Sequence, residues 1–428
     1  MRSPLNSISL RLLIAAIFLG VNFLIQQFWF RRAWNLTAKI SNAVVRRLSR
    51  ALWFAAMALV VLAVLSAVPA LRHPLPRQNG LIWLLAAVKL WLGTSFFALV
   101  GIKAVKWIGR FWKALSPAPA PSQLETLDAG RRAFIRRTAY LVGSVPFVAG
   151  AYGFARERFD YRILGIRIHV RNWPAALDGF TIAQLSDIHA SDFMTRDEIH
   201  RAVGMANDLH ADLAVVTGDF ITGRNDPLAA CIAELSRLRA PLGVWGCNGN
   251  HEIYADAEAK AQLLFEQHGM RLLRQQNAEI DYRGAKFNLI GVDYQRERSY
   301  SGRKLEMLRG IEPLVRSGIP NILLSHNPNS FRRAAEVGIE LSLAGHTHGG
   351  QVQVEILDHS LSPARFMTPF IAGLYRLPFG AEAATAGALE TTASDSSALY
   401  VNRGLGTIGM PVRLGVPPEI TRITLLSA

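Results

Sequence analysis

Acidic residues are scarce where basic residues are dense. The first 140 of 428 residues hold two acids, Glu125 and Asp128, and 19 of the 47 Lys and Arg. The chain's net charge of +15 therefore resides in its N-terminal part, which carries +17, while the other 288 residues sum to −2. Long apolar runs separate the basic clusters. That pattern reads as membrane topology and excludes a nucleic-acid surface, so no nucleic-acid partner is expected. Cysteine is also scarce. Cys231 and Cys247 have no metal-site spacing, which excludes a thiolate metal site and a framework of several disulfides. Both sit in apolar stretches and are expected as buried free thiols; a bridge between them stays open if the domain is exported. No internal repeat is present.

What is present in the first 115 residues is hydrophobic length. Three runs, 12–30, 52–71 and 81–102, are each long enough to cross the roughly 30 Å hydrocarbon core. A shorter Gly-rich run over 138–154, with Pro146 inside it, is expected as a fourth span. The first run is followed by Arg31-Arg32 rather than small residues, so it is not read as a cleavable signal peptide. Residues 116–137 are expected as a cytoplasmic basic linker, opening with the extended Ser116–Ser122 segment. The basic clusters after the first and third runs place both loops in the cytoplasm. The N-terminus and, after a fourth span, the following domain then lie outside. Arg131-Arg132-Ala133-Phe134-Ile135-Arg136 resembles a twin-arginine export signal, or is a plain basic flank. Lys89 lies mid-span, where Asn22 or Gln26 are polar groups it could meet.

From residue 155 the pattern changes to an α/β one. Apolar runs Phe180–Leu185, Ala211–Thr217, Pro241–Cys247, Asn288–Val292, Ile319–Leu324 and Leu341–Ala344 are predicted strands. Amphipathic helices are predicted over Arg196–Leu209, Leu228–Leu238 and Glu258–His268. Strands alternating with helices and ending in polar residues indicate a layered α/β domain with its site at the strand C-termini. The stretch Ala381–Ser397, rich in Ala, Thr and Ser, is expected as a mobile surface insertion.

Those polar strand ends read Asp187-Ile188-His189, Gly218-Asp219, Gly249-Asn250-His251-Glu252, His326 and Gly345-His346-Thr347-His348-Gly349-Gly350-Gln351. Two divalent metals about 3.5–4 Å apart need a bridging carboxylate, hard oxygen donors and neutral imidazoles. The five blocks supply all three. In this order they resemble the calcineurin-like metallophosphoesterase superfamily. Leu185–His189, His346–Val352 and Asn402-Arg403-Gly404-Leu405-Gly406-Thr407 further resemble its membrane-linked bacterial branch, that of YkuE-like and YaeI-like phosphodiesterases and LpxG-type UDP-diacylglucosamine hydrolases. The resemblance covers roughly residues 160–428 and leaves the upstream runs aside.

The resemblance implies a metallophosphoesterase β-sandwich flanked by helices, preceded here by three or four transmembrane helices. It implies one metal on Asp187, His189, Asp219 and His348, and a second on Asp219, Asn250, His326 and His346. It also implies attack by a hydroxide held between the metals, with His251 protonating the leaving oxygen or stabilising charge. Glu252 has a direct role at the site, or is a supporting residue or a helix start. Arg403 and Arg413 either bind substrate phosphate or make salt bridges. Imidazole with carboxylate suits manganese first, and iron or zinc also. The expected activity is hydrolysis of phosphodiester or pyrophosphate bonds of a lipid-linked substrate at the bacterial inner membrane, with the domain periplasmic. A phosphomonoesterase or nucleotidase on soluble substrates, and a non-catalytic membrane sensor, are the alternatives.

Overall fold

Strand residues of one parity face one core and those of the other parity face another, and this alternation builds the C-terminal part. The computed structural model describes residues 4–66, 79–115, 124–297, 299, 302–303, 305–356, 359–366, 368–380 and 393–428. The chain divides into two units, Met1–Tyr152 and Gly153–Ala428. The Ser116–Ser122 segment, the end of the second run and residues 381–392 lie outside the described residues.

The first unit is built of helices α1 (Pro4–Thr37), α2 (Ala43–Ser66), α3 (Asn79–Leu115) and most of α4 (Leu124–Ala155). The segments Ile82–Leu115 and Ala129–Phe159 are long and apolar enough to cross a membrane. One correction concerns residues 124–137, expected as linker: they are the opening turns of α4, which continues through Pro146. Helices α3 and α4 pack closely through glycines. A Cβ at Gly101 would lie 2.9 Å from Val142 Cγ1, and one at Gly143 would lie 2.7 Å from Ile102 Cγ1. Small residues at such crossings let helix backbones approach. Polar contacts link α1 to α3: Trp91 Nε1 donates to Gln26 Oε1 (2.9 Å) and Trp29 Nε1 donates to the Ser95 carbonyl (3.2 Å). Gln26 is thus bound to Trp91.

The second unit runs β1 (Arg162–Val170), β2 (Phe180–Leu185), α5 (Arg196–Asn207), β3 (Leu213–Thr217), α6 (Leu228–Leu235), β4 (Val244–Cys247), α7 (Asn250–Ala255), α8 (Glu258–Gln267) and β5 (Arg271–Leu272). It continues with β6 (Gln276–Tyr282), β7 (Ala285–Gly291), β8 (Asn321–Leu324), α9 (Phe331–Glu336) and β9 (Leu341–Ala344). Strands β10 (Val354–Ile356) and β11 (His359–Leu361) form a separate antiparallel pair, and β12 (Gly373–Pro378), β13 (Ser396–Val401) and β14 (Glu419–Ser427) close the chain.

Two six-stranded mixed sheets result, ordered β1-β14-β2-β3-β4-β5 and β12-β13-β9-β8-β7-β6. Their inner faces share one core, in which Ile182, Val215 and Trp245 of the first sheet meet Phe287, Ile322 and Leu343 of the second. The opposite parity faces outward. Val216 and Ala214 pack under α5, α6 and α8 through Ile199, Ile232 and Phe265, while Leu399 and Ala344 pack under α9 through Phe331. Strands buried on both faces need near-continuous apolar sequence, as ADLAVVT shows. Cys231 belongs to the outer core and Cys247 to the inner one; both are free, which removes the disulfide option. Ser396 and Ser397, expected in a mobile insertion, instead open β13 and are buried.

Candidate metal centre and active site

Every expected ligand lies just beyond the C-terminal end of a strand. Asp187 and His189 follow β2, Asp219 follows β3, Asn250 and His251 follow β4, His326 follows β8, and His346 and His348 follow β9. The five ligands Asp187, His189, Asp219, His346 and His348 hold left-handed backbone, with φ between 49° and 75°. Non-glycine residues rarely adopt this conformation, and they persist in it where surrounding structure over-determines them.

That surrounding structure is visible. Glu252 is fully buried and accepts backbone N–H groups from Gly249 (2.8 Å), Asp219 (2.9 Å), Phe220 (2.8 Å) and Ile221 (3.3 Å). It clamps the Asp219 turn to the Asn250 turn. Burial and the neighbouring Asp219 push its carboxyl up to about 8. Glycine is required beside it, because a Cβ on Gly249 would overlap Asp219 Oδ1. The Asn402–Thr407 loop backs the first ligand turn. Leu405 N donates to the Ser186 carbonyl (3.0 Å) and Gly406 N to the Asp187 carbonyl (2.7 Å). Gly404, at φ 71°, sits where a Cβ would come within 2.6 Å of Asp187 Cβ.

The donor atoms converge in three overlapping groups. Asp187, His189 and His348 form one, His189, Asp219 and His251 a second, and Asp219, His326 and His346 a third, each with ligand atoms within 4.8 Å. Asp219 is shared between the second and third groups, and His189 joins the first to the second. His189 Nδ1 faces Thr222 Oγ1 (3.0 Å) and His326 Nδ1 faces the Thr217 carbonyl (2.6 Å), so each turns Nε2 to the centre. His189 Nε2 and His348 Nε2 meet at 3.1 Å. Buried atoms Asn250 Oδ1, His346 Nδ1 and His348 Nδ1 have no hydrogen-bond partner. Buried polar groups are ordinarily paired.

The charges agree. Burial would raise Asp187, yet the imidazoles of His348 and His326 hold it below the usual carboxylate range. Asp219 is likewise held low, with His326 the main cause against burial. Burial pulls His189 down to about 3 and His346 to about 4, so these imidazoles are neutral. His326 goes the other way, to about 10: burial lowers it, but Asp219 and Asp187 together prevail. Its Nε2 lies 3.1 Å from Asp219 Oδ2 and 3.9 Å from Asp187 Oδ1. The two carboxylates attract whatever cation is at hand.

Residues 180–350 match the calcineurin-like phosphoesterase family. This part of the chain is a calcineurin-like metallophosphoesterase domain. The chain is 30% identical over 302 residues to a Danio rerio "transmembrane protein with metallophosphoesterase domain", covering 68% of this chain and 63% of that protein. A Bos taurus protein of the same description is 29% identical over 315 residues, covering 71% and 65%. The uncharacterized metallophosphoesterase YkuE of Bacillus subtilis is 29% identical over 303 residues, covering 69% of this chain and 98% of its own. The chain thus spans just under two thirds of the two vertebrate relatives and nearly all of the bacterial one.

Within the metallophosphoesterase domain, His251 donates Nδ1–H to the Thr222 carbonyl (2.6 Å), and its N–H binds Asp219 Oδ1 (2.9 Å). Its ring stands edge-on to His189, 4.8 Å between centroids, with Tyr254 on its other side at 5.7 Å. Arg413 requires a correction. It is fully buried, and its guanidinium donates to the carbonyls of Gly406 (3.1 Å), Val416 (3.2 Å), Arg403 (3.0 Å) and Gly404 (2.9 Å). It holds the loop that backs Asp187 and has no donor turned to a phosphate. Arg403 lies against Gly349, is partly exposed, and sits 3.5 Å from Glu419 Oε2. Sequence reasoning missed the Thr217 and Thr222 contacts and left the role of Glu252 open. The spacing Gly249-Asn250-His251-Glu252, a capping-box position, carried the Glu252 signal.

Proposed function

We infer that the protein is a membrane-bound, dinuclear-metal phosphoesterase that hydrolyses phosphodiester or pyrophosphate bonds of a lipid-linked substrate. One observation carries the reading: Asp219 is shared between two converging donor groups, beside which the Asn250 oxygen and the Nδ1 atoms of His346 and His348 lack partners. The donor set fits two divalent ions, with Asp187, His189, Asp219 and His348 for one, and Asp219, Asn250, His326 and His346 for the other. Imidazole and carboxylate without thiolate favour manganese, with iron or zinc accepted. When bound, the ions supply Lewis acidity toward phosphoryl oxygens and acidify a water.

The chain's own residues do the rest. Glu252 and the Asn402–Thr407 loop hold the carboxylates in place. His251, fixed by the Thr222 carbonyl, turns Nε2 toward the centre, where it holds or yields a proton at the leaving oxygen. Arg403 is the remaining candidate for a phosphate oxygen.

The membrane reading is supported by the apolar segments Ile82–Leu115 and Ala129–Phe159 and by relatives described as transmembrane. The reading extends to a multi-pass protein of a bacterial inner membrane, its domain on the periplasmic side; the basic clusters after the first and third runs favour that orientation. A site tethered beside a bilayer meets lipid-linked substrate at high effective concentration, which favours that substrate class.

The test is hydrolysis of bis-p-nitrophenyl phosphate and p-nitrophenyl phosphate by full-length protein, with manganese, zinc or chelator. Diester cleavage that requires metal and falls by about 10²-fold or more in His251→Ala is expected. No turnover of either ester, with two metals bound by elemental analysis, overturns catalysis. A preference for the monoester favours the soluble-substrate reading.

A further inference from the structure

The stretch that opens the second unit carries no metal ligand, yet it is built into the support of the centre. Gly153, Glu157 and Arg158 are all buried. The Gly153 carbonyl accepts the Arg413 N–H (3.3 Å). A Cβ on Gly153 would overlap the Arg413 carbonyl oxygen and lie 2.8 Å from Val412 Cγ1, so any side chain there would displace the Arg413 backbone. The Glu157 carboxylate faces the backbone N–H groups of Gly415 and Val416. Arg158 donates Nε to the Phe154 carbonyl (2.8 Å) and Nη1 to the Phe193 carbonyl (3.2 Å), and its guanidinium lies 4.0 Å from the Phe159 ring centroid.

Three paths lead from these contacts to ligands. The Arg413 guanidinium holds the Gly404 and Gly406 carbonyls, and Gly406 N donates to the Asp187 carbonyl (2.7 Å). Leu414 N donates to the Gln351 carbonyl (3.0 Å), and Gln351 N donates to the His348 carbonyl (2.9 Å). Beyond Arg158, Phe193 N donates to Ser191 Oγ (3.4 Å), whose hydroxyl donates to the His189 carbonyl (2.9 Å). The three endpoints, Asp187, His189 and His348, are the members of one donor group. The other set is held from elsewhere: Glu252 fixes the Asn250 turn through Gly249 N, and the Thr217 carbonyl fixes His326.

We propose that the segment from Gly153 to Arg158 is a positioning element for one metal position only, the one formed by Asp187, His189 and His348 with Asp219. It acts through the Arg413–Val416 segment and the Phe193 carbonyl, which fix the three ligand turns relative to one another. The inference rests on the dinuclear reading of the centre. A segment that only joined the domain to the helices before it would need chain continuity and no more, and an exposed linker supplies that. Here instead two charged side chains are buried, which is costly unless specific partners meet them. Those partners belong to the loops that back the ligands. Outer partners of metal ligands typically change metal affinity by about 10–100-fold.

The experiment titrates manganese into metal-free full-length protein in detergent. Calorimetry reads the affinities, and electron paramagnetic resonance separates a coupled manganese pair from a single ion. Gly153→Ala and Arg158→Gln should each weaken one affinity by about tenfold and leave the other unchanged. Arg158→Lys, which keeps a donor, should recover part of the loss. The loss should persist in a His326→Ala background, which disables the other set, and vanish in a His348→Ala background. Trp173→Phe removes a buried hydrogen bond to the Leu177 carbonyl at the opposite end of β2, and should leave both affinities unchanged. Arg158→Gln adds no atoms to the packing, and its melting profile reports that it is folded. Equal weakening of both metals, or a loss of the same size in Trp173→Phe, would mean general loosening and overturn the positioning role. Unchanged affinities in Gly153→Ala and Arg158→Gln would overturn it too. A wild-type chain that binds one manganese and gives no coupled spectrum would instead overturn the dinuclear reading.

Discussion

The two ends of the same strands carry opposite kinds of polar cluster. Strand β8 begins at Asn321 and is followed by His326; β3 is preceded by Asp212 and followed by Asp219. At the starting end the side chains of Asn321 and Asp212 are matched by several partners each. Asn321 Oδ1 accepts from Asn288 Nδ2 (2.8 Å) and Arg316 N (2.8 Å), and its amide donates to the Arg316 carbonyl (3.0 Å) and to Glu340 Oε2 (3.2 Å). Asp212 accepts from Thr181 N (2.8 Å), Thr181 Oγ1 (2.8 Å) and Tyr282 Oη (2.9 Å), which ties the first sheet to the second. At the finishing end, buried atoms of Asn248, Asn250, His346 and His348 are unmatched, and five residues hold left-handed backbone. Both clusters are buried and both bridge the sheets. Burial and polarity alone therefore do not mark a site. Unmatched atoms that converge with carboxylates beside strained backbone do, because one added partner would satisfy them together.

The largest effect that would break this contrast is at Asp219. Asp219→Asn should lower diester hydrolysis by at least about 10³-fold, since it weakens both metal positions together. Elemental analysis should find fewer than two metals per chain. Chelation should also destabilise the wild-type protein; a metal present at 1,000 times its dissociation constant contributes about 4 kcal/mol. In Asp219→Asn that chelator-dependent shift in melting temperature should shrink. An unchanged shift would mean that the finishing end needs no added partner, and the comparison between the ends would collapse.

How far this contrast was legible in the sequence depends on how local each part is. The strands ending at Leu185, Thr217, Cys247, Leu324 and Ala344 follow from apolar runs broken by polar residues, and the eight residues from Asp187 to His348 fall directly after them. The role of β14 was not legible. It comes last in the chain yet inserts between β1 and β2, parallel to one and antiparallel to the other. No local pattern encodes a pairing across some 240 residues. Arg413 misled for the same reason: an arginine near a phosphate site reads as a ligand, and only the folded loop shows its guanidinium closed over four carbonyls. The role of Glu252 stayed open, because its four backbone bonds exist only once two strand ends meet.

A smaller effect tests the matched end. Asn321→Ala leaves Asn288, Glu340 and the Arg316 N–H short of partners in a buried position, and should cost about 2–3 kcal/mol of stability. Denaturant unfolding of the Gly153–Ala428 unit would report it. Metal content and turnover at low denaturant should be unchanged, because no atom of that cluster faces the ligands. A loss of metal in Asn321→Ala would mean that the two ends of β8 are coupled and that the matched cluster is part of the site.

The smallest effect carries a pH signature. Burial would raise the Asp212 carboxyl, but the hydrogen bonds from Thr181 and Tyr282 outweigh burial and hold it below its ordinary value of 3.8. A depressed folded pKa contributes stability that is present above the unfolded pKa and lost as pH falls through the folded one. Asp212→Asn should therefore cost about 1 kcal/mol near neutral pH, a value kept modest because solvent reaches the outer edge of the side chain. The difference between variant and wild type should narrow below pH 3.8 as the wild-type carboxyl takes up its own proton. It should not respond to chelator at any pH. A chelator-sensitive Asp212→Asn would show that the tie between the sheets at the starting end governs how the ligands meet at the other, and the two clusters would have to be treated as one.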